Sequence, residues 1–298
     1  MKQVKVDNIL YVMDTSAYTI TADTDADIIY VPEDSFDAYV EVNSGLTLSK
    51  YNYNCIVVQK PYYIIEKERQ EEELAKQRVK LIVDCGAYPV VKFANSTSGI
   101  SKVIVDGVEQ PSVINQYTFP SGQMGEHTVE LELTDPTTIV NRMFYYCGAI
   151  LRVEIGNKVT TIGDNAFSSS QNITSIKLPD TVTSIGESCF NGCYALENVN
   201  IPSGVTEYKA SLFQYCSALT SVVISENVTK INNSCFSYCG NLESVTVLAT
   251  TPPTLKLYVF ENNKSGRKIY VPADSVDTYK AASNWSSYAS AIEAIPSE

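Results

Sequence analysis

From Phe144, steps of 23 residues land on Phe167, Phe190, Phe213 and Phe236, and a step of 24 reaches Phe260. The same stride links Cys147, Ser170, Cys193, Cys216 and Cys239, then Ile150, Ile173, Leu196, Leu219 and Leu242, then Val153, Ile176, Val199, Val222 and Val245. Further columns run through Ile155, Leu178, Ile201, Ile224 and Val247 and through Val159, Val182, Val205 and Val228. A fixed period of this length is the mark of a stacked repeat architecture. In CFNGCYALENVNI the Phe, Cys and Leu are three apart, on one side of a helical or 3₁₀ turn, whereas Val199 and Ile201 alternate with polar neighbours as a strand does. One such unit buries too little by itself. Stacked, each strand pairs with the next at about 4.8 Å and each Phe sits on the Phe before it, so about five or six coils form a rod roughly 25 to 30 Å long. Its ends would expose apolar columns and unpaired strand edges, so both ends need caps.

The segment AFSSSQNITSIKLPDTVTSIGESCFNGCYALENVNIPSGVT resembles the BspA-type leucine-rich repeat family, whose units run as Ala-Phe, a Cys three residues on, a Leu, and a strand ending in Ile-Pro. The likeness covers residues 138 to 298, including ATTPPTL and the terminal IYVPADSVDTYKAASNWSSYASAIEAI, which is similar to the C-terminal cap of that family. Ser170 departs from the usual Cys, Tyr208 from the usual Ile, and Ser225 stands where sister units have Pro179 and Pro202. The resemblance implies repeats over 136–250, a cap over 251–298, and adhesin-like binding on the outside of a bacterium.

Much of the cap's first element occurs twice. IYVPEDSFDAY at Ile29 to Tyr39 returns as IYVPADSVDTY at Ile269 to Tyr279. In the later copy a strand and helix bring Val276, Tyr279 and the single tryptophan, Trp285, over the last coil. By analogy residues 1–62 form a small α/β module built like a displaced cap, with Phe36 and Tyr39 at the matching positions. IIEKERQEEELAKQR has strong helix formers and neither Gly nor Pro, which predicts a solvated helical spacer over 63–78. Ile65 and Leu74 do not sustain the heptad of a coiled coil. VKLIVDCGAYPVVKF, SKVIVDGVEQ and EHTVELEL alternate as strands around an Asp106-Gly107 hairpin signal, which predicts a small β-sandwich, Ig-like in scale, over 79–135. The chain is thus expected to be mainly β with short helices.

With a net charge of −12 and no Lys/Arg run that reverses the sign, the chain repels phosphate backbones and anionic lipid. No segment approaches the roughly 18 apolar residues of a membrane span, and the N-terminus lacks the apolar run of a signal peptide. Nucleic acid and membrane insertion are therefore excluded as partners. No phosphate-binding, dinucleotide or zinc-protease motif is present, and His127, the only histidine, shares the apolar face of its strand with Val129, Leu131 and Leu133. That favours a structural histidine over a catalytic base.

The repeated Cys-x3-Cys spacing at Cys189/Cys193 and Cys235/Cys239 suggests zinc, but the register opposes it. Cys193, Cys216 and Cys239 share a core column, and Cys189 and Cys235 take a position filled elsewhere by Met143, Ala166 and Leu212. Free buried thiols acting as small hydrophobes are expected, with no metal and no cofactor. Asp23, Asp25, Asp27 and Asp34 suggest a calcium loop, but Ile28 occupies the position that needs glycine.

Surface remains. Arg152, Ser175, Asn198, Ser221 and Ser244 form one outward strand column, and Glu154, Lys177, Asn200, Val223 and Thr246 another. Tyr146, Tyr215 and Tyr238 share a turn column, the last two in adjacent coils. Tyrosines in a row can stack on sugars or anchor a protein, and a coincidental aromatic surface is the other reading of the same column. The candidate binding residues are Tyr146, Tyr215, Tyr238, Lys177, Asn198 and Asn200. The expected function is non-enzymatic recognition of a protein or glycan at a cell surface. A phage virion component anchored through residues 1–62 is the alternative, and an enzyme has no constellation behind it.

Overall fold

The computed structural model describes residues 3–6, 9–12, 28–32, 47–51, 55–59, 62–86, 90–120 and 122–296. They divide into two compact units, Met1–Ala75 and Lys76–Glu298. In the first, the strands Gln3–Val6, Ile9–Val12, Ile28–Pro32, Thr47–Tyr51 and Cys55–Gln59 form one sheet in the spatial order first, second, third, fifth, fourth. Ile9–Val12 and Ile28–Pro32 pair in parallel, Ile9 opposite Ile28, and the other pairs are antiparallel. The earlier copy of the duplicated element thus supplies a strand. Phe36, Tyr39, Asp23, Asp25, Asp27 and Asp34 lie outside the described residues.

The helix Tyr62–Ala75 closes this unit. Composition predicts helix as far as residue 78, and tertiary contacts stop it earlier. In the second unit the Lys76 carbonyl accepts the Asn157 N–H at 3.0 Å, and Arg78 pairs with Glu130 at 3.0 Å and Glu132 at 2.8 Å. A Cβ on Gly156 would lie 2.0 Å from the Gln77 carbonyl oxygen, so only glycine lets the first coil approach this segment.

The strands predicted as a separate sandwich at 79–135 share a sheet with the repeats. Its order is Asn198–Val199, Ser175–Lys177, Ile150–Glu154, Val79–Asp84, Glu126–Leu133, Ile100–Val105 and Val108–Glu109. The first three pair in parallel, coil on coil, and Val79–Asp84 joins them antiparallel with Val153 opposite Leu81. An unpaired first coil would expose a row of N–H and C=O groups, and Val79–Asp84 satisfies it. Phe93 and Phe119, flanking the two-stranded sheet of Val90–Lys92 and Gln116–Thr118, are buried in the same core cluster as the repeats. The hairpin signal holds locally: Asp106 and Gly107 have φ of 48° and 78°, and Val105 pairs with Val108.

Along the solenoid the phenylalanine rings stack with centroids 4.9, 5.7, 5.3, 5.4 and 5.8 Å apart from Phe144 to Phe260. The cysteine column does more than fill space. Cys193, Cys216 and Cys239 each aim Sγ at the carbonyl of the Phe 26 residues earlier, at 3.3, 3.2 and 3.1 Å. Ser170 does the same to Phe144 at 2.5 Å, and its Oγ accepts the Cys147 N–H at 3.1 Å. A column that takes Cys or Ser is selecting a short donor, which corrects the reading of these cysteines as small hydrophobes alone.

Both strand ladders part at one coil, between Ser184–Ile185 and Glu207–Tyr208 on one side and between Asn198–Val199 and Ser221–Ile224 on the other. There Tyr208 fills the column held by Ile139, Ile162, Ile185 and Ile231, and its larger ring reaches the Phe236 ring at 6.2 Å. Lys209 stands where Gly163 and Gly186 let earlier coils approach; a Cβ at those glycines would sit 2.4 and 2.5 Å from the preceding coil. Beyond the break Asn232 ties the coils again, bonding the Glu207 carboxylate and the Tyr208 carbonyl at 2.9 Å each.

The later copy of the duplicated element caps the array. The strands Lys268–Val271 and Ile292–Ala294 extend the sheet of Ser221–Ile224 and Ser244–Val247 in parallel. Tyr279, on the helix Val276–Ala281, donates its hydroxyl to Ala249 O at 2.7 Å, and Trp285 Nε1 donates to Pro253 O at 2.8 Å. Phe260 ends the ring stack against Tyr288, edge to face at 5.5 Å.

Two expectations follow from this core. The Tyr208 hydroxyl is buried and has no hydrogen-bond partner among the described residues. Removing an orphaned buried hydroxyl while keeping the ring, Tyr208→Phe, should raise stability by about 1 kcal/mol in urea unfolding; a loss of that size would show that the hydroxyl is bonded. Cys85, Cys147, Cys189, Cys193, Cys216, Cys235 and Cys239 are free and buried. Burial pushes Cys147, Cys193 and Cys239 from the ordinary 9.0 up to about 12. Unfolded thiols release protons near pH 9 while the native ones keep theirs, so their stabilising contribution is intact below pH 9 and is lost as pH rises towards 12. Native protein at pH 8 should leave these thiols unreacted towards a thiol reagent that modifies them all once the chain is unfolded. Rapid native reaction would contradict the burial.

Candidate ligand-binding surface

His127 is held by the hairpin that carries it. Its Nδ1 faces Asp106 Oδ2 at 2.8 Å, its Nε2 faces Gln123 O at 3.3 Å, and its ring stacks on Phe119 with centroids 3.7 Å apart. Both nitrogens face oxygen atoms and one ring face is covered by Phe119, which holds the ring in place. Asp106 Oδ1 also accepts the Thr128 N–H at 2.9 Å, which makes the group a hairpin clasp. Among the described residues no group of three His, Cys, Asp or Glu side chains is arranged for a metal.

The turn side of the solenoid carries a different feature. Each coil holds two residues in the left-handed region, four apart along the chain. Tyr146, Ser169, Gly192, Tyr215, Tyr238 and Asn262 form one such column, with φ between 53° and 71°. Gly and Asn suit this conformation, and a bulky aromatic there is strained. Tyr215 and Tyr238 nevertheless occupy it, at φ of 64° and 60°, with 39% and 42% of their surface exposed. Their N–H groups bind the next coil's Ser237 and Glu261 carbonyls, at 3.0 and 2.8 Å, so the backbone cannot relax without breaking the stack. The two rings lie parallel to within 23°, centroids 4.8 Å apart, and present a flat two-ring platform.

The other candidates fall elsewhere. Tyr146 has the same conformation, φ 57°, but Ser169 and Gly192 separate it from Tyr215; its ring neighbour is Tyr145 at 6.3 Å. Lys177, Asn198 and Asn200 are exposed on the strand side, where Lys177 pairs with Glu154 and Asn198 sits in register with Ser175. No hydrogen bond or ring contact among the described residues joins them to the tyrosine platform. Tyr258 and Leu257 are further exposed residues at the platform's end of the array, and sequence reading passed over them. The signal was present: a step of 24 from Ser234 puts Tyr258 in the second left-handed column, at φ 60°.

Among solved structures, the chain is similar to a leucine-rich repeat protein of T. pallidum (23% identity, 45% of this chain and 66% of that one, TM-score 0.37). It is similar also to a leucine-rich cell surface protein of Faecalibacterium prausnitzii (28% identity, 52% and 38%, TM-score 0.38) and to the pneumococcal vaccine antigen PcpA (16%, 55% and 44%, TM-score 0.40). The chain spans 38% to 66% of the length of these structures. No curated protein matches it. Residues 137–267 match the BspA type leucine-rich repeat region in six copies, and with the 23-residue rungs seen above this part of the chain is a BspA-type leucine-rich repeat array.

Proposed function

We propose that the chain is a non-enzymatic recognition protein of adhesin-like character, which holds a protein or glycan on the platform of Tyr215 and Tyr238 while residues 1–62 serve attachment to a cell surface. The observation that carries this reading is the strain. A non-glycine residue in the left-handed region costs of order 1–3 kcal/mol, and the neighbouring coil meets the same backbone demand with Gly192. Two adjacent tyrosines that accept this cost, with their rings turned to solvent, favour a role in binding beside their place in the turn. Flat exposed rings suit the apolar face of a sugar or the anchor side chain of a protein partner. Lys177, Asn198 and Asn200 sit on the strand side without comparable strain and have a secondary part in this proposal.

The test is Tyr215→Gly with Tyr238→Gly, compared with the wild-type chain on a printed glycan array and an array of immobilised extracellular proteins. Relief of backbone strain should leave thermal stability unchanged or raised, while loss of a hot-spot pair lowers binding by about thirtyfold or more. Binding equal to wild type would remove the platform from the account. Lower stability with intact binding would make the rings a structural staple.

A further inference from the structure

The C-terminal cap contains a cavity of about 300 Å³ lined by Lys264, Arg267, Lys268, Ser287, Tyr288 and Ser290, with no acidic side chain in its wall. That is unexpected in a chain of net charge −12. Sequence reading missed it because the three cations are interrupted by Ser265 and Gly266, and the serines and tyrosine join them only when the 3₁₀ helix Trp285–Ala291 folds back. In the alignment that sets Ile29 on Ile269, the earlier copy has Thr24, Asp27 and Ile28 where the later one has Lys264, Arg267 and Lys268, so the three cations are not part of the duplicated pattern.

Arg267 is the unusual member. Its guanidinium carbon lies 4.9 Å from the Phe260 ring centroid and 5.4 Å from that of Tyr288. Nη1 donates to the Phe260 carbonyl at 3.3 Å, and Nε is buried with no acceptor among the described residues. Lys264 pairs with Glu243 and Lys268 with Glu293, whereas no described carboxylate pairs with Arg267. Burial pulls its guanidinium below its ordinary pKa, the direction expected of a cation that lacks a counter-charge. A cation without an anion is costly, and a negatively charged ligand at the guanidinium would supply the missing counter-charge, although it would not reach the enclosed Nε.

We propose that this cavity binds an acidic sugar, a uronic or sialic acid residue, with its carboxylate at Arg267 and its hydroxyl groups at Ser287, Ser290 and Tyr288. The volume is at the small end for ligand sites, the size for one sugar unit and not for an extended chain. Arginine suits a planar carboxylate, the serine hydroxyls both donate and accept, and the Tyr288 ring gives an apolar wall. The site is distinct from the tyrosine platform and does not depend on it.

The experiment titrates the full chain with methyl glucuronoside, N-acetylneuraminic acid, methyl glucoside, inorganic phosphate and a short Glu-rich peptide, read by calorimetry. One or both acidic sugars should bind while the neutral glucoside does not, with binding weakened by about tenfold or more in Arg267→Gln. Because Arg267→Gln also removes the contacts with Phe260 and Tyr288, Ser287→Ala with Ser290→Ala is the companion variant; it should weaken sugar binding at unchanged melting temperature. Tyr215→Gly with Tyr238→Gly should leave it untouched. Phosphate as tight as the acidic sugars would make this a bare anion site, and preference for the peptide would make it a protein contact; either overturns the sugar assignment. No binding by any probe, or full binding in both pocket variants, overturns the site itself.

Discussion

The coils of this solenoid from Phe144 to Phe213 each hang on the two ends of one phenylalanine. The ring stacks on the ring of the coil before, and the carbonyl of Phe144, Phe167, Phe190 or Phe213 takes a hydrogen from Ser170, Cys193, Cys216 or Cys239 in the next coil. Dispersion and burial give the stack its energy, but rings alone could slide. A thiol at 3.1 to 3.3 Å from a particular oxygen adds direction, so these hydrogen bonds help to hold the register that the rings fill. Turn amides reinforce it: the Phe167, Phe190 and Phe213 N–H groups bind carbonyls of the following coil at 2.8 to 3.0 Å.

An array built this way ends badly unless both ends are closed, and the two ends are closed by different means. At the start, Val79–Asp84 turns the parallel ladder into an antiparallel one and hands the edge on to Glu126–Leu133 and Ile100–Val105. At the finish, Tyr288 meets Phe260 edge to face, and Tyr279 and Trp285 spend their polar atoms on backbone carbonyls. The finishing cap also leaves Arg267 between two rings, so a device that ends the stack places a cation without a described carboxylate partner in a hollow of an acidic chain.

What could be read from the residues was whatever repeats or is local. The 23-residue stride located the Phe, Cys and Leu columns, Asp106-Gly107 announced its hairpin, and the second IYVP element announced its strand and the Tyr279 and Trp285 cap. The pairing of Val153 with Leu81 was hidden, because strand partners 72 positions apart leave no trace in periodicity. The donor role of the cysteines was half visible, since a core column that accepts Ser170 is not choosing by hydrophobicity; the acceptor, a backbone oxygen, has no letter of its own. Of the candidate site, register alone brought Tyr215 beside Tyr238. The left-handed backbone beneath them, which gives the pair its meaning, is a property of the turn and not of tyrosine.

The division of labour is therefore between rungs that must be what they are and turn positions that need not be. Position 216 tests the first half most directly, by comparing Cys216→Ser with Cys216→Ala in equilibrium urea unfolding. If the side chain serves to donate to the Phe190 carbonyl, as Ser170 does to Phe144, the serine variant is the more stable by about 0.5–1.5 kcal/mol. If the column wants only a small apolar group, the order reverses and the alanine variant is the more stable, which would contradict the hydrogen-bonded register on which this account of the solenoid rests.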